Sequence, residues 1–246
     1  DDLVCSGAAP LFFLDYLAFG RLDSDAVEDL VSGVADGCRE AGCALIGGEM
    51  AEHPGVMGTD QFDLVGFAVG AVERDSLLDG TAVAAGDVLV GLDSPNLRSN
   101  GFSLVRRIVL ELAGRDLNAP AWKGASSTLA EELLAPSVIY APAVVAALAA
   151  HEIHAVAHVT GGGLLGNLPR VLGQSVDAVV NCSAWEVPRI FRELQTIGGI
   201  ADDEMARVFN LGIGMVLVLP SDEVDGVVTT LGIHDRPARV IGELVP

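Results

Sequence analysis

Three successive glycines, Gly161-Gly162-Gly163, stand between an apolar run and a helical pattern, and they constrain the fold more than any other stretch. Glycine loses more conformational freedom on folding than any other residue, so a run of three marks a place that demands a permissive backbone. The run closes His158-Val159-Thr160-Gly161-Gly162-Gly163, which reads as a strand end passing into a helix start. Such a unit either cradles a phosphate on free N–H groups or lets helix and sheet pack closely. The adjacent hydroxyl and imidazole keep both readings open. No Lys follows the glycines, so the loop is not of the Walker A type.

Hydrophobic periodicity predicts alternating helices and strands around this unit. Ser24 reads as the N-cap of a helix running to Gly42, with Val27, Leu30, Val31, Val34, Cys38 and Ala41 on one face. Residues 43–46 read as a short buried strand ending in Gly47-Gly48, with further strands over 62–72 and 87–92. The polar, aperiodic stretch 74–85 is a candidate domain boundary. Beyond it, 102–113, 130–134, 137–150, 164–172, 187–197 and 222–231 read as helices, with Pro169 kinking the fourth or marking a restart. Strands are expected over 153–159, 176–180, 213–219 and 239–244. The predicted class is α/β, with α and β elements mixed.

Charge narrows the partners. Fourteen Lys+Arg against 34 Asp+Glu leave a formal net charge of −20, while half of the residues are hydrophobic and can build a core. Such a chain is not globally disordered. It lacks the basic stripe that duplex nucleic acid or an anionic membrane would require. No apolar run approaches the ~18 residues of a spanning helix. The opening Asp1-Asp2-Leu3-Val4 is no signal peptide; with no Met and an immediate apolar pattern, it reads as the continuation of a longer chain. Cys5, Cys38, Cys43 and Cys182 form no CxxC pair and read as buried, reduced thiols of a cytoplasmic protein.

Two more glycine-rich turns carry candidate chemistry. In Gly47-Gly48-Glu49-Met50-Ala51-Glu52, paired glycines open the backbone to an anion and a carboxylate follows that can hold a divalent ion. The plain alternative is a tight turn with a solvated acidic loop. In Ser99-Asn100-Gly101-Phe102-Ser103, Ser99 or Asn100 either caps the following helix or helps place a ligand at its N-terminus. Asp2 and Glu49 are plausible Mg²⁺ ligands beside a nucleotide, and in isolation each is an ordinary surface carboxylate. His158 reads as an acid–base group, a donor to phosphate or a satisfied core histidine. His151, His154 and His234 fall in no constellation. The segment 10–19 holds four of the ten Phe and Tyr residues, which suggests a core strand or a subunit interface.

Taken in order, the motifs resemble those of the phosphoribosylformylglycinamidine cyclo-ligase (aminoimidazole ribonucleotide synthetase) family. The matching strings are Asp2-Leu3-Val4, Gly7-Ala8-Ala9-Pro10-Leu11-Phe12-Phe13-Leu14-Asp15-Tyr16, Gly47-Gly48-Glu49 and Ser99-Asn100-Gly101-Phe102-Ser103. Leu134-Ala135-Pro136, His158-Val159-Thr160-Gly161-Gly162-Gly163 and Phe209-Asn210-Leu211-Gly212-Ile213-Gly214-Met215 complete the series along the whole chain.

The resemblance implies two α/β domains, the first incomplete. Residues 1–76 would be the tail of an ATP-binding and dimerisation domain whose upstream third lies outside this chain, and 77–246 the C-terminal domain. It also implies a homodimer, ATP and Mg²⁺ as cofactors, and ring closure of formylglycinamidine ribonucleotide in purine synthesis. Carried over by position, Asp2 and Glu49 would hold the metal, and Asp2, Gly47, Gly48, Glu49, Asn100, Thr160, Gly161, Gly162 and Gly163 would meet the nucleotide or a phosphate. His158 and Asn100 would be the catalytic candidates, with Asn210 a weaker one. Two positions depart from the family: Asp1 replaces the usual Asn, and Arg98 replaces a common His, adding a permanent cation that could bind phosphate.

Two rival readings remain at this point. One is a sister enzyme of the same superfamily, such as thiamine-monophosphate kinase, selenophosphate synthetase or the hydrogenase-maturation dehydratase. The other is a non-catalytic dimerisation module.

Overall fold

The computed structural model describes residues 1–246, which divide into two compact units: Asp1–Leu77 with Ile139–Val145, and Leu78–Val138 with Ala146–Pro246.

The first unit is built on a three-stranded sheet. Its strands are β1 (Ala9–Phe19), β2 (Ala44–Glu52) and β3 (Phe62–Ala71), with helix α1 (Ser24–Ala41) between β1 and β2. β1 lies in the centre, parallel to β2 and antiparallel to β3. The predicted stripe of α1 holds: Cys38 is buried, and Val27, Leu30, Val31, Val34 and Ala41 are half-buried. The cap differs. Asp23, not Ser24, is the N-cap, its carboxylate accepting from the Asp25 and Ala26 N–H groups, because a side chain one residue earlier reaches the N2 and N3 amides. At the other end Gly42 is left-handed, with Gly42 N–H bonded to Arg39 O and Cys43 N–H to Cys38 O, a Schellman closure.

Strand β2 runs straight through Gly47-Gly48, which the sequence reads as a turn. Ile46 is an extra residue at a bulge, since Phe13 pairs with Leu45 and Leu14 with Gly47. The next pair, Asp15 and Gly48, explains the second glycine: a Cβ there would overlap the Asp15 carboxylate.

The face away from Asp15 carries Leu14, Tyr16, Gly47, Glu49, Val65 and Phe67. Much of it is open, with Phe67 63% and Val65 50% exposed.

The second unit holds a five-stranded antiparallel sheet whose strands run, edge to edge, Ala155–His158, Ile213–Leu219, Val88–Asp93, Ala238–Val245 and Asp177–Val180. Its elements run β4 (Val88–Asp93), α2 (Phe102–Arg106), α3 (Leu129–Leu133), α4 (Ala141–Ala150, whose first residues belong to the other unit) and β5 (Ala155–His158). There follow α5 (Gly163–Asn167), β6 (Asp177–Val180), α6 (Arg189–Gly198), α7 (Asp202–Val208), β7 (Ile213–Leu219), α8 (Val224–Ile233) and β8 (Ala238–Val245). Every residue of β7 is buried. One core cluster gathers Val105, Ile108, Phe191, Leu194, Met205 and Phe209, with the Phe191 and Phe209 rings 5.6 Å apart. Another joins Leu89, Val159, Leu168, Val216, Val218 and Ile241.

Three local expectations are corrected. The predicted helix 102–113 is α only to Arg106 and continues as a π-helix over Arg107–Leu112, closed by Ala113 N–H on Ile108 O. α7 is absent from the sequence reading, because it is short and opens without a side-chain cap on Asp202-Asp203-Glu204. The four cysteines form no disulfide, and only Cys38 is buried, while Cys182 is exposed. Pro169 acts as expected, ending α5 and opening a 3₁₀ turn over Leu168–Val171.

Candidate functional site

In the first unit the predicted residues sit at two cavities. Asp2 opens the 3₁₀ turn Leu3–Ser6, its backbone carbonyl accepting from Cys5 N–H at 3.2 Å while its carboxylate does no capping. With Asp1 it lines a cavity of about 570 Å³ whose wall includes Phe13, Val34, Cys38 and Cys43. Asp1 itself is fixed: its Oδ1 accepts from Tyr140 N–H at 2.8 Å and Ala141 N–H at 3.1 Å, where α4 begins. Glu49 lines a separate cavity of about 460 Å³ with Asp15, Leu17, Gly47 and Gly48. Its Oε1 accepts from Met50 N–H at 2.9 Å. Opposite it on β1 lies Tyr16, whose hydroxyl meets His53 Nε2 at 2.9 Å. Asp2 and Glu49 thus line different cavities, and no three His, Cys, Asp or Glu side chains converge as a metal cage. As exposed carboxylates they suit a hard cation that keeps water and phosphate oxygens as its other ligands.

The thiol of Cys38 in the first cavity is a poor nucleophile. Burial, then the neighbouring Cys43 thiol, pushes its pKa up to about 11.

In the second unit four of the predicted stretches come together. Asn100 lies beside the glycine run: a Cβ on Gly161 would stand 3.5 Å from Asn100 Oδ1. Neither Ser99 nor Asn100 caps α2. Gly101 takes the N-cap position at φ 79°, and a Cβ there would strike the Phe209 ring, so the glycine is required by packing. His158 ends β5, opposite Met215 of β7, and its Nε2 lies 2.8 Å from Nη2 of Arg98.

The triple glycine separates into distinct needs. Gly162 is left-handed at φ 104°, and Gly163, at φ 60°, passes so close to α7 that a Cβ would overlap Ala206 O. Only Gly161 has no steric requirement of this kind. The Gly163 N–H bonds Thr160 O at 3.1 Å, whereas the Gly161 and Gly162 amides meet no acceptor in the chain. Two successive N–H groups without an acceptor at a strand–helix turn are donors of the kind that an anion can use.

Asn167, not singled out in the sequence, holds this loop. Buried to 3% exposure, it accepts the Thr160 hydroxyl at 3.1 Å and donates to the carbonyls of Thr160, Gly161 and Gly163. The Thr160 proton is therefore spent inside the loop. Asn96 was also missed, although Pro-Asn is a turn dipeptide whose side chain bonds two residues on. Its Oδ1 accepts Arg98 N–H at 3.0 Å and its Nδ2 donates to Pro136 O at 2.6 Å. Asn210 is structural: its Nδ2 donates to Asn96 O and its Oδ1 accepts Gly212 N–H.

The model of the AIR synthase related protein N-terminal domain matches residues 1–72, and that of the C-terminal domain residues 84–246. A phosphoribosylformylglycinamidine cyclo-ligase from Trichlorobacter lovleyi is 46% identical over 244 residues, covering 99% of this chain and 70% of its own length. Among solved structures, a thiamine-monophosphate kinase from Stenotrophomonas maltophilia superposes with a TM-score of 0.72 at 22% identity, over 99% of this chain and 72% of that one. The hydrogenase maturation protein HypE in complex with ATP gives 0.70 at 19%, over 99% and 67%. These two likenesses establish a shared fold.

Proposed function

The chain belongs to the AIR synthase related family, and from that premise we propose that it is an ATP-dependent phosphoribosylformylglycinamidine cyclo-ligase of purine biosynthesis. The observation that carries this reading is the 46% identity to a curated cyclo-ligase over 99% of the chain. The ordered motifs from Asp2 to Met215 run the same way.

ATP transfers its γ-phosphoryl group to the formyl amide oxygen of formylglycinamidine ribonucleotide, and ADP departs. The amidine nitrogen then attacks the activated carbon, phosphate leaves with the former amide oxygen, and the aminoimidazole ring is closed. Such chemistry asks a protein chiefly for positioning and for charge stabilisation. In the second unit the Gly161 and Gly162 amides supply donors for phosphate oxygens, Thr160 and Gly163 shape the turn, and Asn100 supplies an amide beside it. Arg98 adds the cation that a chain of net charge −20 needs near an anionic ligand. In the first unit Asp2 and Glu49, at their separate cavities, would each offer Mg²⁺ one carboxylate, and the bound ion would neutralise phosphate charge. Gly47 and Gly48 keep that stretch of β2 free of side chains.

We assign 1–76 to the N-terminal ATP-binding and dimerisation domain and 77–246 to the C-terminal domain. A homodimer is supported by the open apolar face of the first unit, bounded by two edge strands. A cytoplasmic setting accords with four cysteines that form no disulfide. No helix is long and apolar enough to cross a membrane.

ADP release that depends on formylglycinamidine ribonucleotide tests the assignment. Release that depends instead on thiamine monophosphate would move the chain to a sister kinase.

A further inference from the structure

Arg98 is held at three points. Its backbone is left-handed at φ 58°, a costly conformation for a non-glycine residue that persists only where the surroundings enforce it. Here the buried Asn96 enforces it by accepting Arg98 N–H, and Asn96 is itself tied to Pro136 O and to the buried Asn210. The guanidinium then donates through Nη1 to Val138 O at 3.0 Å and lies 2.8 Å from His158 Nε2 through Nη2. On the other side, His158 is fixed by the pairing of β5 with the fully buried β7.

The chemistry of that last contact has one solution. A guanidinium carries five N–H donors, no acceptor, and stays protonated in proteins. The lone pair must therefore belong to His158 Nε2, and the imidazole proton to Nδ1. We propose that Arg98 locks His158 as the neutral Nδ1–H tautomer, which makes His158 a positioning residue that aims the Arg98 cation rather than a proton donor from Nε2. The tautomer stands on the geometry alone; the part it plays in turnover rests on the cyclo-ligase reading. This reverses the catalytic role expected for His158 from its motif.

The test uses the 246-residue chain labelled with ¹⁵N-histidine and long-range ¹H–¹⁵N spectra at neutral pH. H158Q, which deletes one of five imidazole patterns, assigns the residue. The expected pattern is a bare Nε2 and a protonated Nδ1, opposite to the Nε2–H form that free imidazole side chains prefer. R98M, which replaces the guanidinium with a side chain lacking N–H donors, releases His158 to Nε2–H. A protonated Nε2 in the wild type, or an R98M pattern identical to the wild type, overturns the proposal.

Turnover of the protein expressed from its whole reading frame supplies a second readout. In H158Q the glutamine Oε1 can still accept from Arg98, so kcat falls by less than about tenfold. Loss of a true general acid costs about 10²–10⁴-fold, and a fall of that size in H158Q would overturn the positional role. Absence of turnover in the wild-type protein expressed from its whole reading frame would count against the cyclo-ligase reading, while the spectra still decide the tautomer.

Discussion

The Thr160 hydroxyl donates to Oδ1 of Asn167 at 3.1 Å, and the amide of the same asparagine reaches back to three loop carbonyls. One buried side chain thus ties together the turn that presents the Gly161 and Gly162 amides. Asn167→Leu leaves these groups without their partner. Unsatisfied buried polar groups cost about 1–3 kcal/mol, so urea unfolding is expected to show a loss in that range. An unchanged midpoint would mean that Asn167 does not hold the loop.

The glycines of the run respond differently. Gly163→Ala drives a Cβ into Ala206 O at a left-handed φ, and stability falls by about 1–3 kcal/mol, as for other overpacked sites. Gly161→Ala meets only Asn100 Oδ1, at an ordinary 3.5 Å from the new Cβ. Its stability stays within about 0.5 kcal/mol of wild type, while KM for the phosphorylated substrate rises. Equal losses of stability in the two variants would contradict this division of roles.

His154 gives the second unit a pH signature. Burial pulls its pKa down, but hydrogen bonds to Asp87 and Glu152 and their charges outweigh this, leaving it above the ordinary 6.5. Both ring nitrogens face carboxylate oxygens, Nδ1 at 2.8 Å from Asp87 and Nε2 at 3.2 Å from Glu152, which suits the doubly protonated ring. A raised folded-state pKa stabilises fully below the unfolded value, and the benefit disappears as pH climbs through the folded one. The stability gap between wild type and His154→Gln is therefore largest on the acid side of 6.5 and narrows above it. A gap that widens with rising pH would refute the assignment.

The open face of the first unit predicts an assembly phenotype. Phe67 is 63% exposed and pairs with Leu14 across β1 and β3. Phe67→Glu is expected to leave the circular dichroism spectrum unchanged and to convert a dimer into a monomer in sedimentation. A dimer that survives the substitution would move the interface elsewhere.

How far the sequence foretold this depends on the range of the interaction responsible. α1 and β7 were legible because their reasons are local: a 3.6-residue stripe, and seven consecutive residues with turn signals on either side. The π-helical continuation of α2 and the existence of α7 were not, since neither leaves a periodic or capping mark. Gly48 looked like a turn residue because its purpose, clearance for Asp15, lies on another strand. Likewise Arg98 and His158 stand 60 positions apart, and only the fold shows that the departure from the family motif touches its histidine. Asn167 carries no mark in the sequence, because its role rests on four contacts that exist only in the folded loop. The family, in contrast, was legible from the order of its glycine motifs, because those strings carry constraints from the whole fold.

The most direct test of the central claim is to supply Mg-ATP and formylglycinamidine ribonucleotide to the protein expressed from its whole reading frame and to measure both products together. The account predicts aminoimidazole ribonucleotide and ADP in equal amounts, each dependent on the other's substrate. A folded, ATP-binding protein that forms no aminoimidazole ribonucleotide would contradict it.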